Sequence, residues 1–324
     1  MQMNNVLELF EKDLVQVERW MEEALGSHVT LIPEVSRHLI GSGGKRFRPL
    51  MLLATASLFG YEGEKRYPLS AVIEFIHTAT LLHDDVIDHA HMRRGKISAN
   101  NIWGNAASVL VGDYLYSKAF KLMAEHGTLR IVHELAATTN VMSEGEVFQL
   151  VKCGDVNLTE AEYLKIIEEK TSVLISSACA VGAILGGAKP ARIWALKRFG
   201  MTVGSAFQII DDTLDYMAKE KDFGKAIGKD LDEGKLTLPL IRTLSLCGAD
   251  ERNSIIEIIQ RPERNGDDVA CILNIISRYN GIHYAMDKAA AFISEGKAIL
   301  SVFPDSSARQ ALSAIADFVV ERHS

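Results

Sequence analysis

Apolar residues recur at helical spacing along nearly the whole chain, and this periodicity limits the possible folds more than any other feature. Leu7, Phe10, Leu14, Val17 and Met21 follow one another at steps of three or four residues, which places them in one stripe along a helix. The same spacing predicts helices over 50–59, 69–89, 105–125, 129–150, 159–187, 191–218 and 235–246. No alternating run or turn dipeptide indicates a strand or a hairpin. The sequence therefore predicts an all-α protein, and we expect one large helical bundle domain over residues 1–324.

Composition and charge limit the cellular compartment and the classes of binding partner that we expect. The formal net charge of −7 and the lack of a long basic run argue against a nucleic-acid partner. The four cysteines are scattered without a C-x-x-C pair, which is typical of reduced thiols in the cytosol. The N-terminus lacks the features of a signal peptide, and the most apolar run, 174–188, is shorter than the ~20 residues of a membrane span. We expect a cytoplasmic protein without a transmembrane segment, in which 174–188 forms a buried, closely packed helix.

The pattern D-D-x-x-D occurs twice, as DDVID and as DDTLD. Because residues i and i+4 share a helical face, Asp84 lies beside Asp88 and Asp211 beside Asp215. Such pairs repel each other by several tenths of a kcal/mol unless a cation lies between them. Oxygen ligands suit Mg²⁺, which binds through one or two carboxylates and substrate phosphates. One acidic cluster is as easily explained as a solvated helix face, but the repetition favours a diphosphate held between two Mg²⁺-binding faces.

Basic residues accompany the acidic motifs. In GSGGKRFRP, residues 41–49, four small residues precede Lys45, Arg46 and Arg48, and a glycine-rich turn that opens a helix is suited to binding an anion. The spacing differs from that of a Walker A loop. Further bases are Arg93, Arg94, Lys170, Lys225, Lys229 and Lys235. Two groups of bases beside two acidic motifs predict two anionic substrates, one bound through Mg²⁺ and one through bases alone.

Eight segments together resemble the trans-isoprenyl diphosphate synthases, and the resemblance covers most of the chain. They are GGKRFRP, EFIHTATLLHDDVID, MRRG, GNAASVLVGDYLY, EGEVFQL, EKTS, FQIIDDTLDY and DLDEGKLTLPL. The resemblance implies an all-α homodimer with a deep central cavity in each subunit. It also implies a head-to-tail condensation of an allylic diphosphate with isopentenyl diphosphate, with Mg²⁺ as the cofactor.

The resemblance also implies a role for individual residues. Asp84, Asp88 and Asp211 would hold two or three Mg²⁺ ions, and catalysis would further depend on Asp85, Asp212, Asp215, Lys170 and Lys235. Isopentenyl diphosphate would bind to Lys45, Arg48, His77 and Arg94. The allylic diphosphate would bind to Arg93, Lys170, Thr171, Gln208, Lys225 and Lys235.

Residues near the first acidic motif bear on product length. Ala79 and Thr80 lie one turn before Asp84 and are too small to block a chain that grows along the cavity. Phe120 and Met123 are candidates for the floor of that cavity, although core packing explains them equally well. We expect farnesyl diphosphate as the starter and octaprenyl diphosphate as the product, for a ubiquinone side chain. Products of seven, nine or ten units stay open, and product release is expected to involve transient membrane contact.

Three other functions remain open on the sequence alone. A terpene cyclase or a head-to-head prenyl synthase also uses acidic helices and Mg²⁺, but it would leave the bases of 41–49 and Arg94 without a role. A metal-dependent phosphohydrolase could use His83 and Asp84 but needs further histidine ligands. A non-catalytic subunit of a heteromeric synthase is expected to lack one acidic motif, whereas both are intact here.

Overall fold

The structure is a computed structural model that describes residues 1–41, 45–93, 95–217, 228–261 and 264–321. Within these ranges the helices are α1 (Met3–Ala24), α2 (Leu31–Ile40), α3 (Phe47–Leu58), α4 (Arg66–Ile87), α5 (Ala99–Trp103), α6 (Asn105–His126), α7 (Leu129–Lys152), α8 (Glu160–Ile167), α9 (Val173–Leu185), α10 (Pro190–Met217), α11 (Lys229–Asp232), α12 (Leu238–Leu246), α13 (Ala249–Ile259), α14 (Gly266–Arg278), α15 (Gly281–Leu300) and α16 (Ser307–Glu321). A π-helical segment, Glu168–Ser172, joins α8 to α9, and strands β1 (Met92–Arg93) and β2 (Lys96–Ile97) pair antiparallel. The predicted all-α class is confirmed.

Most predicted helices agree with α3, α4, α6, α7, α10 and α12 to within a few residues at each end. Two expectations were wrong in detail. No hairpin signal was visible in the sequence, yet β1 and β2 form a hairpin that includes Gly95, whose φ of 75° is a conformation that favours glycine. Each strand has only two residues, which is too short for an alternating pattern to be visible. The helix predicted over 159–187 is interrupted by the π segment.

The chain forms two compact units whose segments alternate along the sequence. Unit 1 contains residues 1–139, 174–200 and 299–318, and unit 2 contains 140–173, 201–298 and 319–324. Helices α7 and α10 each contribute residues to both units. The expectation of a single domain over 1–324 therefore stays a prediction.

In unit 1, α4 packs mainly against α6, and α1 and α3 also contact it. Gly112 of α6 lies against the His83 side chain of α4, where an added Cβ atom would lie 2.4 Å from Nε2, so a larger residue would require the imidazole to move. Helix α9 is buried along most of its length, and a Cβ at Gly182 would lie 2.4 Å from the carbonyl oxygen of Leu52. The predicted buried, closely packed helix over 174–188 is thus confirmed. Within the described ranges, no helix is both long and apolar enough to cross a membrane.

In unit 2, the π segment passes closely between two glycines. A Cβ at Gly145 of α7 would lie 3.0 Å from the backbone nitrogen of Lys170, and one at Gly204 of α10 would lie 2.6 Å from the Cα atom of Ser172. Ser172 also donates a hydrogen bond from its Oγ to the carbonyl oxygen of Ile167, at 3.1 Å. The wide turn is therefore held by side-chain bonding and by close backbone contact on both sides. π-helical turns are frequent at functional sites.

Candidate active site

The first acidic motif lies in unit 1, where α4 ends. Asp85 is fully buried, and Arg93 of β1 donates from Nε to the Oδ1 atom of Asp85 at 2.7 Å. Burial lowers the pKa of Arg93, but the charge and hydrogen bond of Asp85 and the charges of Asp84 and Asp88 together outweigh it, so the guanidinium pKa is raised above its ordinary value. Asp84 and Asp88 are each partly exposed. The aspartates of this motif therefore differ in role. Asp85 binds Arg93, whereas Asp84 and Asp88 are accessible to a ligand.

The turn that follows α4 is held by hydrogen bonds to two backbone carbonyl oxygens. The carbonyl oxygen of Asp85 accepts from the backbone N–H of Ala90 and from the Nδ2 atom of Asn100, both at 3.0 Å. The carbonyl oxygen of Ala90 accepts from the Nδ2 atom of Asn101 at 2.7 Å. These contacts fix the end of α4 and the start of the hairpin, and so the place from which Arg93 reaches Asp85.

The other predicted residues of unit 1 lie on α3, α4 and the segment before α3. Lys45 is exposed and its Nζ lies 3.7 Å from the centre of the Phe318 ring, a cation–π contact. Arg48 is partly buried in the first turn of α3, and His77 is partly exposed on α4. Arg94, for which the resemblance implies binding of isopentenyl diphosphate, lies outside the described residues.

The second acidic motif lies in unit 2, on the last turns of α10. Asp212 is buried and accepts two hydrogen bonds, from the Tyr163 hydroxyl at 2.6 Å and from the Nε2 atom of Gln208 at 2.7 Å. Burial raises the pKa of Asp212 to about 6, and both hydrogen bonds act against that shift. Gln208 in turn accepts from the Thr171 hydroxyl at 2.9 Å. The structure therefore brings three predicted residues, Thr171, Gln208 and Asp212, into one hydrogen-bonded chain.

The two remaining aspartates of this motif have different surroundings. Asp211 is exposed. Asp215 is partly exposed, and its Oδ2 atom accepts a hydrogen bond from the backbone N–H of Asp230 at 3.1 Å. Asp211 is thus open to a ligand, whereas Asp215 also holds the chain at the start of α11.

Two predicted lysines of unit 2 are held by acidic or amide side chains. Lys170 donates from Nζ to Glu146 at 2.8 Å and to Gln149 at 2.9 Å. Lys235 donates from Nζ to Glu233 at 2.7 Å. Both lysines line one pocket of unit 2, together with Gln149, Tyr163, Gln208 and Asp212. Lys225, the third predicted lysine, lies outside the described residues.

The π segment explains why Lys170 and Thr171 lie in this pocket. Both residues belong to the segment, whose wide turn changes the direction of side chains relative to a continuous helix. The sequence singled out both residues from the EKTS segment, but helical periodicity alone did not indicate the π turn.

Some contributors to the pocket were missed at the sequence level. Glu146 and Gln149 lie within the segment EGEVFQL, which carried the resemblance, but no role followed from it. Tyr163 gave no signal, because a single tyrosine at a helical spacing is indistinguishable from a core residue. The role of its hydroxyl can be recognised only from the structure, because the acceptor, Asp212, lies 49 residues later in the chain.

The residues expected to influence product length all lie in unit 1. Ala79 and Met123 are fully buried, and Thr80 is partly buried with its hydroxyl donating to the carbonyl oxygen of His77 at 2.9 Å. Phe120 is 38% exposed and its ring lies 5.5 Å from that of Tyr116. The burial of Met123 agrees with an interior role, whereas the exposure of Phe120 does not support its assignment to a cavity floor.

The donor set fits a divalent ion that arrives with its substrate. Among the residues that the structure describes, no group of three or more His, Cys, Asp or Glu side chains is placed to hold a metal. Mg²⁺ is usually bound through one or two carboxylates plus substrate phosphates rather than by an all-protein cage. The exposed or partly exposed carboxylates of Asp84, Asp88 and Asp211 are donors of this kind. His83 instead contacts Asp113 of α6, at 3.3 Å.

The helical fold, the two acidic motifs and the bases near them define an all-α enzyme that handles diphosphate groups. The family model described as polyprenyl synthetase matches residues 29–276. The chain is 38% identical over 322 residues to octaprenyl diphosphate synthase of Escherichia coli K12, with 99% of each chain covered. It therefore belongs to the polyprenyl synthetase family, which consists of prenyltransferases.

Solved structures show the same relationship. A decaprenyl diphosphate synthase from Rhodobacter capsulatus is 40% identical, with a TM-score of 0.94 and 99% of each chain covered. A polyprenyl synthase from Caulobacter crescentus CB15, complexed with calcium and isoprenyl diphosphate, is 41% identical, with a TM-score of 0.95 and coverage of 100% of this chain and 98% of that one. The resemblance predicted from the eight segments is confirmed, and the phosphohydrolase alternative is not supported.

Proposed function

We propose that this prenyltransferase elongates an allylic diphosphate by repeated head-to-tail condensation with isopentenyl diphosphate, giving a long all-trans polyprenyl diphosphate. The observation that carries the proposal is the match to the polyprenyl synthetase family over 29–276, a range that includes both intact acidic motifs. The similarity to long-chain synthases over nearly the whole chain supports it further. A terpene cyclase would have no use for the isopentenyl diphosphate site, which the basic residues of 41–49 supply in this proposal.

In this proposal Asp84, Asp88 and Asp211 hold two or three Mg²⁺ ions. Their accessible carboxylate oxygens support the assignment, and one structural relative carries calcium with isoprenyl diphosphate. When bound, the metal supplies positive charge that stabilises the departing diphosphate. Asp85 and Asp212 support the site indirectly in this proposal. Each is buried and accepts a hydrogen bond that holds a side chain of its own unit in place.

The allylic diphosphate binds, in this proposal, to Lys170 and Lys235, with Arg93, Thr171, Gln208 and Lys225. Glu146 and Glu233 hold the two ammonium groups in fixed positions before the substrate arrives. Such preorganised charges stabilise the developing negative charge of the leaving group without further rearrangement. Apolar side chains of the same pocket, Leu158, Ile166 and Leu236, limit the access of water.

Isopentenyl diphosphate binds, in this proposal, to Lys45, Arg48, His77 and Arg94. The exposure of Lys45 and the partial exposure of His77 support this role. No acidic motif is needed for this second substrate, because the bases alone balance its charge.

We propose farnesyl diphosphate as the starter and octaprenyl diphosphate as the product, which provides a ubiquinone side chain. The small Ala79 and Thr80 support a long product, and so do relatives named for products of eight and ten units. We further propose that the protein acts in the cytoplasm, where it contacts a membrane transiently to release the product.

We also propose a homodimer in which α6 lies at the interface. One exposed face of α6 carries Val109, Leu110 and Phe120, and Leu110 is 67% exposed. The three positions follow helical spacing along the helix, and the same exposed face also carries Ala106, Asp113 and Ser117. Three exposed large apolar side chains on one helical face support an interface there, and Asp113 and Ser117 would supply its polar contacts.

The function is tested with purified protein, farnesyl diphosphate, radiolabelled isopentenyl diphosphate and Mg²⁺. We expect a labelled long-chain product, whose length is read by chromatography after dephosphorylation, and complete loss of that product in excess chelator. Asp84→Asn should lower kcat by about a hundredfold or more, as expected when a charge-stabilising group is removed.

The matched control is Asp305→Asn, which changes an exposed carboxylate of unit 1 that pairs with Arg309. It should leave kcat unchanged. A protein that forms no labelled product with any allylic starter from five to twenty carbons would contradict the proposal. A hydrocarbon product formed without isopentenyl diphosphate would instead identify a terpene cyclase.

A further inference from the structure

Arg46 is the central base of the KRFR run, and the proposed substrate sites give it no role. Its side chain is only 10% exposed. Its backbone has a φ of 47° and a ψ of 48°, the left-handed conformation, which is uncommon for a residue other than glycine. It directly precedes α3, so this conformation determines how the chain enters that helix.

The Arg46 guanidinium joins three other elements of unit 1. Its Nη2 atom donates to the carbonyl oxygen of Ile40, at the end of α2, at 2.8 Å and to Glu18 of α1 at 3.2 Å. Its Nη1 atom donates to Glu74 of α4 at 3.2 Å, and its Nε atom also bonds to Glu18. Burial lowers the pKa of Arg46, but the hydrogen bonds and charges of Glu18 and Glu74 outweigh it and raise the pKa above its ordinary value.

These contacts connect the residues assigned to isopentenyl diphosphate. Lys45 and Arg48 flank Arg46 in the chain, so the conformation of Arg46 sets their positions. Glu74 precedes His77 by three residues on α4, and residues at that spacing are neighbours on one helical face. The ion pair between Arg46 and Glu74 therefore links the segment that carries two of these bases to the helix that carries the histidine.

We infer that Arg46 is a positioning residue for isopentenyl diphosphate, which fixes Lys45 and Arg48 relative to His77 through its bond to Glu74. The inference rests on the proposed assignment of those three residues to this substrate. The planar fork of a guanidinium can meet three acceptors at once, whereas a lysine ammonium is a single point of charge. Lysine at this position would keep the charge but lose the connection between elements.

The test compares Michaelis constants of Arg46→Ala and Arg46→Lys for the two substrates. We expect KM for isopentenyl diphosphate to rise by about tenfold, because a displacement of about 1 Å in a binding group can cost up to about a hundredfold. KM for the allylic diphosphate should stay close to that of the unchanged protein. Glu74→Gln, which keeps a hydrogen-bond acceptor for Arg46, should give a smaller rise and provides a milder variant if Arg46→Ala does not fold.

Arg66→Ala is the matched control. Arg66 is a similarly enclosed arginine of unit 1, 15% exposed in its side chain and bonded to Asp13 at 3.0 Å. Replacing Arg66 should lower the melting temperature but should not raise KM for isopentenyl diphosphate relative to KM for the allylic diphosphate. A purely structural role for Arg46 would give the same pattern as Arg66→Ala and would overturn the inference.

Lys45→Ala distinguishes this inference from the assignment on which it rests. If Lys45→Ala raises KM for isopentenyl diphosphate and the Arg46 variants do not, only the positioning role is wrong. If Lys45→Ala leaves that KM unchanged, the assignment of the substrate is wrong, and the inference about Arg46 falls with it.

Discussion

At the scale of single residues, the best-defined feature is the chain of hydrogen bonds that ends on Asp212. A buried carboxylate is costly unless it is hydrogen-bonded. Tyr163 and Gln208 each donate to one of its oxygens, and Thr171 fixes the orientation of Gln208 by donating to it. The same set of bonds thus stabilises unit 2 and orients side chains that we assign to the allylic diphosphate.

Tyr163→Phe should therefore lower the free energy of unfolding by about 1–3 kcal/mol, because it removes a donor from a buried acceptor. Urea denaturation at neutral pH measures this difference. Tyr284→Phe is the control, since the partner of that hydroxyl, Glu160, is partly exposed and is also held by Lys288. Equal losses in the two variants would show that burial of the Asp212 carboxylate does not matter.

At the scale of elements, the π segment is the least ordinary feature of the fold. Periodicity predicted a continuous helix over 159–187, and the wide turn at Glu168–Ser172 interrupts it. Gly145 and Gly204 leave room for its backbone on two sides. The position of Lys170 and Thr171 thus depends on two glycines that lie elsewhere in the chain.

Gly204→Ala should lower the free energy of unfolding by about 1–3 kcal/mol, since the added methyl group would overpack a contact with backbone. We also expect a lower kcat/KM for the allylic diphosphate, because the π segment must shift. Unfolding and steady-state kinetics measure the two effects.

Gly266→Ala serves as the control, because nothing lies within 4 Å of an added Cβ at that position in the first turn of α14. It should leave kinetics unchanged and stability unchanged or higher by up to about 1 kcal/mol. If Gly204→Ala behaves in the same way, close contact does not define the π segment.

At the scale of the whole molecule, the exposed face of α6 that carries Val109, Leu110 and Phe120 is relevant to assembly. Leu110→Asp should weaken or abolish the proposed homodimer, because a carboxylate in an apolar interface loses its hydration without a partner. Size-exclusion chromatography with light scattering measures the mass. Leu246→Asp, at the 47%-exposed end residue of α12, is the control and should keep the mass of the unchanged protein. A monomeric unchanged protein, or a dimeric Leu110→Asp, would contradict the proposal.

The sequence by itself determined the all-α class, most of the long helices before residue 246 and the two acidic motifs. All three depend on short separations along the chain, since helical hydrogen bonds and the pairing of i with i+4 residues are local. The segment that carries Lys45 and Arg48 was recognisable for the same reason, because residue types at fixed spacing identify it.

The tertiary structure alone decided which partners hold these residues. Tyr163 meets Asp212 across 49 residues of chain, and Arg46 meets Glu74 across 28. Such pairs depend on how closely helices approach, which glycines such as Gly204 permit and which no local pattern encodes. Local spacing determines the secondary structure of a segment, whereas packing between distant segments determines which partners its side chains contact.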